Sequence, residues 1–405
     1  METKKYILIV LFVQLSLLLS AQSTYKYLSL DLKKMEQTKT AIEQGDQTAK
    51  DYLKKIQDNA SSVLNKKPYS VVYKIQIPPS GDKHDYISMG PYWWPDPSKP
   101  DGKPYIRKDG QVNPERSKYT DQSNIQKLNS AIHTLGIAYY LTNDDKYVTC
   151  ANKLIYVFFI DPDTRMNPNL NYGQFVPGRN QGRQYGIIET SGVVSMLEGI
   201  SLLSDSKSWS QKNYKQLQLW MKNYLNWLKN SPLGIKERNT LNNHGTHYDG
   251  QCIAISLFLG DVKGTKEYIK KYTIPRLESQ IKPDGSQPYE LARTKSWNYS
   301  NMNMSGFVKI ALMAEKIDID LWHYQKNGQI YLKSMIDWYI PYLEKEKNWK
   351  WKQIQTESVT RIQPILVLAA DRYNDKSYID LIDNFQTIQR NITFKKNNSS
   401  KPILK

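Results

Sequence analysis

The 405-residue sequence is poor in the residues that build metal centres and covalent crosslinks. It contains two Cys, Cys150 and Cys252, and five His. The two Cys stand far apart among apolar neighbours, so we expect free thiols rather than a disulfide. His244, His247 and Asp249 only loosely imitate a ligand set, and the sequence has no HExxH motif and no Cys pair at ligand spacing. The sequence therefore predicts no metal site.

Long apolar runs are almost absent as well. One run of about 15 residues lies near the N-terminus, after two lysines and before the small residues Ser20 and Ala21, which is the order of a secretory signal peptide. It is short for a membrane span, which needs about 20 residues. We therefore expect a signal peptide over residues 1–22, export to the periplasm or beyond, and no membrane span in the mature chain. No Pro/Gly/Ser linker divides the rest, which predicts a single domain over 23–405.

Acidic residues are outnumbered. The chain has 39 Asp and Glu against 56 Lys and Arg, a formal net charge of +17. Such an excess favours a polyanionic partner. An exported protein meets acidic polysaccharide at least as often as nucleic acid, so we expect an acidic polysaccharide as partner and no nucleic acid. The composition makes no prediction of oligomeric state.

Strand signals are few, and Tyr69–Ile77 is the clearest. Helical periodicity instead recurs along the chain, in three clear apolar stripes: Leu128, Ala131, Ile132, Leu135 and Tyr139; Tyr214, Leu217, Met221, Tyr224, Leu225 and Leu228; Phe307, Ile310, Ala311, Ala314 and Ile317. Further helices are predicted at about 27–57, 145–160, 184–204, 247–259, 264–281, 327–345, 360–372 and 375–390. No fixed repeat period indicates a solenoid. The pattern favours an all-α chain of the α/α-toroid type, a barrel of helical hairpins with long irregular loops at one rim.

Two long segments interrupt the helices. Gly90–Glu115 contains six Pro, and Asn167–Gly186 is rich in Gly and Asn. Long loops of this kind in compact domains are usually functional. Trp93 and Trp94 beside Arg107 would suit the apolar faces of sugar rings and their carboxylates, although core packing explains a Trp pair equally well.

Two polar segments carry candidate catalytic groups. "TLNNHGTHYDGQ", residues 240–251, crowds two Asn and two His into a dozen positions. An Asn capping a helix that starts near Gly245 accounts for one of them. "DGSQPYELARTKSWNYSNMNMSG", residues 284–306, precedes a helix predicted to begin near Ser305 and offers Arg293 and Tyr299. Helix N-termini present N–H groups and a positive dipole end, which suits an anionic substrate if both segments meet.

Four segments together resemble the alginate lyase family of α/α-toroid polysaccharide lyases: "YISMGPYWWPDPSKPDGKPYIRKDGQVNPE", "GRQYGIIET", "LNNHGTHYDGQ" and "DGSQPYELARTKSWNYS". The resemblance implies an enzyme that cleaves uronate polymers by β-elimination without an obligatory cofactor. It places the family's Asn–His pair on Asn243 and His244, its Arg on Arg293 and its catalytic Tyr on Tyr299.

The two irregular loops and the segment after Asn243 supply further candidate substrate contacts. They are Trp93, Trp94, Arg107, Arg179, Arg183, Gln184 and His247. For Arg179 and Arg183 a solvated basic loop is an equal alternative. The chain departs from the family where His247 replaces a larger aromatic ring and Glu189 replaces an Asp. Mannuronate-containing alginate is the expected polymer, with glucuronan as the alternative under the same mechanism.

The chemistry of β-elimination explains why these residue types belong together. A proton must leave C5 next to a carboxylate, so Asn243, with His244 or Arg293, would neutralise that charge. A Tyr has a pKa of about 10, and cationic neighbours favour its phenolate. In mannuronate and glucuronate the C5 proton and the C4 oxygen share a face, so Tyr299 would serve as base and acid. In guluronate they lie on opposite faces, and His244 would be the base.

Two other functions fit parts of the sequence. An inverting glycoside hydrolase needs two carboxyl groups roughly 6.5–9.5 Å apart, for which Glu189, Asp249 and Glu290 are candidates. A nonenzymatic protein that binds polyanions would need only the basic surface.

Overall fold

The computed structural model describes residues 28–355, 359 and 361–382. The predicted signal peptide lies outside the described residues, and the predicted helix 375–390 is described only as far as residue 382. Most of the described chain is helical, as the periodicity predicts.

The α-helices are α1 (Leu32–Glu43), α2 (Gln47–Leu64), α3 (Asp121–Thr142), α4 (Lys146–Ile155), α5 (Val193–Leu203), α6 (Gln211–Asn230), α7 (Pro232–Arg238), α8 (Asn243–Phe258), α9 (Val262–Tyr268), α10 (Ile274–Gln280), α11 (Pro288–Leu291), α12 (Ser296–Glu315), α13 (Tyr331–Asp337), α14 (Ile340–Leu343) and α15 (Gln363–Arg372). A short π-helix, Tyr156–Ile160, extends α4, and a second π-helix, Ile269–Thr273, joins α9 to α10.

The strands are short and form two-stranded pairs. They are β1 (Ile87–Met89), β2 (Trp93–Trp94), β3 (Ile106–Arg107), β4 (Tyr172–Phe175), β5 (Gln325–Lys326) and β6 (Gln329–Ile330). β1 pairs with β4 in parallel, whereas β2–β3 and β5–β6 are antiparallel hairpins.

The described chain separates into two compact units. Unit 1 comprises 28–240, His244–Ile274 and Lys309–Ile319. Unit 2 comprises Leu241–Asn243, Pro275–Val308 and the described residues from 320 onward. Three of the boundaries fall inside α8, α10 and α12. A single domain over 23–405 stays a prediction.

The centre of unit 1 is the packing of α3 along α5. The apolar stripe predicted for α3 is buried, with Leu128, Ile132 and Leu135 fully inaccessible. Gly136 and Gly199 meet where the two helices come closest, since a Cβ on Gly136 would lie 2.5 Å from the Gly199 Cα. The absence of both side chains lets the two backbones touch.

The prediction of a strand at Tyr69–Ile77 is wrong. The Ser70 hydroxyl instead accepts from the Val72 amide at 3.1 Å and starts a 3₁₀ turn over Val71–Tyr73. Lys74 then turns inward to a fully buried ion pair with Asp121, 2.9 Å long. A buried Lys without a partner costs more free energy than an exposed Ile. The chain therefore pairs Lys74 and leaves Ile75 88% exposed.

The predicted helix 27–57 is divided into α1 and α2. The chain passes through a left-handed residue at Gly45, with φ of +90°. The Asp46 carboxylate then caps α2 by accepting from the Ala49 amide at 2.8 Å. A Gly followed by an N-capping Asp is a common signal for the end of one helix and the start of the next.

Unit 2 contains a cluster of large aromatic rings that lies beside the start of α12. Trp297 contacts Tyr339 and Trp349 edge-on, with ring centroids 5.4 and 4.9 Å apart. Trp338 and Tyr342 pack against the same Trp349 at 5.6 and 5.2 Å. This aromatic cluster supplies much of the apolar contact around the segment that follows α14.

Two expectations, about disulfides and about membrane-spanning helices, can be compared with the structure. Cys150 and Cys252 are both free thiols, as predicted. Within the described ranges one helical stretch, Gln184–Leu203, is long and apolar enough to cross a membrane, but 78% of it is buried inside the protein. That burial is typical of a core helix.

Candidate active site

His244 is held in unit 1 by a buried carboxylate. Its Nδ1 lies 2.7 Å from Oε1 of Glu237, the penultimate residue of α7, whose side chain is fully buried. A carboxylate oxygen only accepts, so Nδ1 carries the proton and the ring orientation is set. The second ring nitrogen, Nε2, is then the atom that differs between the neutral and cationic forms of the imidazole.

Aromatic and cationic side chains continue from His244 across unit 1. The Tyr185 ring packs edge-on against the imidazole, with centroids 4.9 Å apart. The Arg183 guanidinium lies 5.1 Å from the Tyr185 ring centre and 5.5 Å from that of Trp93. Arg179 covers the same Trp93 ring at 5.0 Å. Trp93, Arg183, Tyr185 and His244 thus form one continuous array, which we call the unit 1 array.

Arg183 is fixed by a chain of hydrogen bonds. Its Nε and Nη2 donate to the carbonyl and side-chain oxygens of Gln174 at 3.0 and 2.8 Å. The Gln174 amide donates to the Ser88 hydroxyl at 2.8 Å, and that hydroxyl donates to Glu189 at 2.5 Å. Gln174 has a φ of +47°, a conformation in which a non-glycine residue is strained. These hydrogen bonds fix the direction of the Arg183 guanidinium.

Burial shifts the pKa of two groups in this chain. Desolvation lowers the pKa of Arg183 to about 10, which still leaves it a cation at neutral pH. Burial raises the pKa of Glu189 above its ordinary value, although hydroxyl donors from Ser88 and Tyr86 oppose the shift. Glu189 stands where the family resemblance predicts an Asp. It is therefore a buried residue that supports the hydrogen bonds running through Ser88 and Gln174 to Arg183.

The two Trp of the β2–β3 hairpin have different surroundings. Successive strand residues point to opposite faces. Trp93 meets the arginines, whereas the Trp94 indole donates to the Gln111 carbonyl at 3.0 Å and has Lys108 over its ring. Arg107, paired with Trp93 in the hairpin, is bound to Asp109 at 2.7 Å. Of the three predicted contacts in this hairpin, Trp93, Trp94 and Arg107, only Trp93 belongs to the unit 1 array.

The remaining predicted contacts of unit 1 lie near the array in sequence. Gln184 is half-buried between Arg183 and Tyr185, at the first position of the 3₁₀ turn Gln184–Thr190. His247 is half-buried on α8, three residues after His244 and thus on the same side of that helix.

In unit 2, Asn243 is bound to Glu290. The Asn243 backbone N–H donates to Glu290 Oε1 at 2.5 Å, and its Nδ2 donates to Oε2 at 2.7 Å. Both residues are 1% exposed. Because Glu290 satisfies the first N–H of α8, the helix begins at Asn243, two residues before the predicted start at Gly245.

Arg293 and Tyr299 form a second pair in unit 2. The guanidinium carbon lies 3.9 Å from the centre of the Tyr299 ring, a close cation–π contact, and both side chains are half-buried. α12 begins at Ser296 rather than near Ser305, so Tyr299 lies in the first turn of a helix and not in a loop. The cation and the phenol that the resemblance names are thus neighbours.

The carboxyl groups nominated for a hydrolase are engaged with the protein. Asp249 is fully buried and accepts from Tyr268 at 2.7 Å and from Thr273 at 3.2 Å. Glu290 is bound to Asn243, and Glu189 lies under its hydroxyl donors. These contacts occupy the three carboxyl groups with hydrogen-bond donors of the protein. Across the residues described, no cluster of three or more His, Cys, Asp or Glu could hold a metal ion.

Comparison with known proteins decides between these functions. The model of the family described as alginate lyase matches residues 71–349 of the chain. The chain belongs to the alginate lyase family. Membership confirms the predicted polysaccharide lyase and the predicted α/α-toroid class, and it excludes a protein that only binds polyanions.

Solved structures support the same assignment. A crystal structure of an alginate lyase from Bacteroides ovatus has 34% sequence identity with the chain and a TM-score of 0.83, covering 88% of this chain and 95% of that one. Alginate lyase A1-III from Sphingomonas species A1 has 16% identity and a TM-score of 0.52, over 83% and 86% of the two chains. A variant of A1-III complexed with a tetrasaccharide has 15% identity and a TM-score of 0.51, over 84% and 86%. No curated protein sequence matches.

Three residues that contact the predicted site residues were absent from the sequence-based prediction. Glu237 holds His244, Tyr185 connects His244 with Arg183, and Gln174 fixes Arg183. The only sequence signal was the position of Tyr185 beside the predicted Gln184. Glu237 and Gln174 act through contacts that no local pattern records.

Proposed function

We propose that the chain cleaves alginate, at mannuronate-containing stretches, by β-elimination at C4–C5. The observation that carries the proposal is the Arg293 guanidinium 3.9 Å from the Tyr299 ring, in a segment inside the family match. A cation at this distance favours the phenolate over the phenol, which is the change that a Tyr needs to act as a base. The 34% identity with a known alginate lyase supports the choice of polymer.

The substrate carboxylate must be neutralised before the C5 proton can leave. We assign this role to Asn243, His244 and Arg293. His244 suits it because Glu237 accepts from Nδ1 and fixes the direction of the ring, so that Nε2 meets the substrate carboxylate in one orientation. Asn243 uses one Nδ2 hydrogen on Glu290 and has a second to donate.

Tyr299 then removes the C5 proton and returns a proton to the C4 oxygen. One group can do both because in mannuronate the two atoms lie on the same face of the ring. With guluronate they lie on opposite faces, and His244 would take the proton while Tyr299 delivers one.

The unit 1 array would bind uronate units of the polymer. Trp93 offers an aromatic face, and Arg183 offers a fixed cation for a uronate carboxylate. We further propose that the chain is exported to the periplasm or the extracellular space, where such polymers occur. The N-terminal sequence pattern supports this, and detection of the processed chain outside the cytoplasm would test it.

The experiment is a panel of polymannuronate, polyguluronate, alginate and glucuronan, assayed by the ultraviolet absorbance of the unsaturated uronate end. We expect the largest kcat/KM on polymannuronate. Tyr299→Phe should lose nearly all turnover with its substrate affinity roughly kept, because only the proton-transferring oxygen is removed. A preference for glucuronan would replace alginate as the substrate, and full turnover by Tyr299→Phe would refute the role of the Tyr.

A further inference from the structure

The first turn of α12, which carries Tyr299, is bound along one side by the segment Trp349–Ile354, which we call the clasp. The first N–H groups of a helix have no partner within the helix. Here the clasp supplies two: the Ser296 amide donates to the Lys352 carbonyl at 3.2 Å, and the Trp297 amide donates to the Gln353 side chain at 3.0 Å. The helix start is therefore defined by a segment more than 50 residues away.

Gln353 uses both ends of its amide group in this contact. Oε1 accepts from the Trp297 amide, while Nε2 donates to the Asn298 side chain at 2.6 Å and to the Gln355 carbonyl at 2.9 Å. Its two hydrogen-bond partners on α12, Trp297 and Asn298, directly precede Tyr299. A helix residue rotates with its neighbours, so holding these two residues fixes the direction in which the Tyr299 ring leaves the helix.

The clasp also binds the stretch that joins Arg293 to the helix. Ile354 donates its amide to the Thr294 carbonyl at 3.0 Å, and Lys295 forms an antiparallel bridge with Gln353. Arg293 and Tyr299 therefore stand on either side of a short stretch that the clasp holds by its backbone. Their 3.9 Å contact depends on that stretch keeping its shape.

The aromatic cluster anchors the clasp independently of Gln353. The Trp349 indole donates to the Ser296 hydroxyl at 2.9 Å, and its ring contacts Trp297, Trp338 and Tyr342. The clasp should therefore stay in place when the Gln353 side chain is shortened. The family match ends at residue 349, so Gln353 lies outside it.

We propose that Gln353 is a positioning residue that keeps the Tyr299 ring under the Arg293 guanidinium, an inference that rests on the proposed role of Tyr299 in β-elimination. Gln353 does not touch the substrate. Its effect is to hold the phenol oxygen and the cation in the relative geometry that proton transfer requires, and small displacements of a catalytic group cost much of its rate.

The test compares Gln353→Ala with Gln355→Ala on the best polymer of the panel. Gln355 is an exposed glutamine two residues further on, of which only the backbone carbonyl takes part in a described hydrogen bond, so it is a matched control. We expect Gln353→Ala to lower kcat by about tenfold or more with KM nearly unchanged. We also expect the rise of kcat/KM with pH to move to higher pH, since a displaced guanidinium no longer favours the phenolate. Gln355→Ala should match the wild type in all three measurements.

A purely structural role would give a different result. It would lower the melting temperature of Gln353→Ala but leave kcat and the pH profile of the folded enzyme at wild-type values, and that outcome overturns the proposal. If Gln353→Ala does not fold, Gln353→Glu keeps the acceptor for the Trp297 amide and loses the Nε2 donor to Asn298 and to the Gln355 carbonyl. A wild-type kcat and pH profile in that variant would likewise overturn it.

Tyr299→Phe, measured alongside, separates this inference from the proposed function. If Tyr299→Phe abolishes turnover while Gln353→Ala behaves as Gln355→Ala, only the positioning role is wrong. If Tyr299→Phe keeps full turnover, the proposed function is wrong and the positioning role falls with it.

Discussion

Replacing Glu237 by Gln should reduce catalysis without disturbing the fold of the site. The substitution keeps the size of the side chain, but it turns a buried carboxylate, 2.7 Å from His244 Nδ1, into a neutral amide. The imidazole then loses the charged acceptor that orients it through Nδ1. The amide can also present its N–H₂ to Nδ1, which would stabilise the other tautomer and occupy the wrong nitrogen.

The magnitude follows from the type of bond. A hydrogen bond to a charged group contributes about 1.5–3 kcal/mol. With about 1.4 kcal/mol for each tenfold change in rate, kcat/KM should fall by about ten- to a hundredfold. If His244 stabilises charge only as the proton leaves, kcat should fall by the same factor and KM should change little.

A second Glu–His pair in unit 1 provides the control. Glu198 is 3% exposed and lies 3.4 Å from the partly exposed His133, and its described contacts, with Ser29 and His133, include no residue of the unit 1 array. Glu198→Gln should lower the unfolding midpoint but keep wild-type kcat. The reasoning is refuted if Glu237→Gln turns over polymannuronate at the wild-type rate, or if the two variants lose activity equally.

Two further predictions concern substrate binding and stability. Arg183→Lys keeps the charge but cannot hold the two bonds to Gln174 and lie over Trp93 together, so we expect KM for polymannuronate to rise by about tenfold with a smaller change in kcat, measured by initial rates. Gly199→Ala would place a Cβ 2.4 Å from the Ile132 carbonyl oxygen, so we expect a loss of about 1–3 kcal/mol in the free energy of unfolding, measured by urea denaturation.

Each of these predictions has a matched control. Arg179→Lys removes an exposed guanidinium that makes one hydrogen bond, to the Tyr105 carbonyl, and should change KM less than Arg183→Lys. Gly250→Ala adds a Cβ inside α8 at 3.8 Å from its nearest neighbour and should keep or slightly raise stability. Equal effects within either pair would contradict the argument from contacts.

Much of the fold class and the family could be predicted from the sequence. The apolar stripes of α3, α6 and α12 are buried as their spacing predicts, because a helix in a folded protein must bury its apolar side. Four short motifs that occur in one order were enough to indicate the family by resemblance, and the family model confirms it. Arg293 and Tyr299 lie six positions apart in one segment, but their contact geometry depends on the distant clasp.

Local propensity failed where a distant partner decided the structure. Tyr69–Ile77 has the composition of a strand, but the buried ion pair of Lys74 with Asp121 overrides it. The starts of α8 and α12 were placed too late because Glu290 and Gln353 satisfy their first amides from elsewhere in the chain. A sequence pattern reports on neighbours along the chain and carries no record of such acceptors.

The sequence by itself determined the helical class, the family and the chemical types at the site: a phenol, an imidazole, an amide and a guanidinium. Only the tertiary structure decided how those groups are held. Glu237 orients His244, and Ser88 supports Gln174 across 86 residues of chain. The reason is physical: hydrogen bonds and ion pairs depend on distance in space and on burial, and both are set only when the helices have packed.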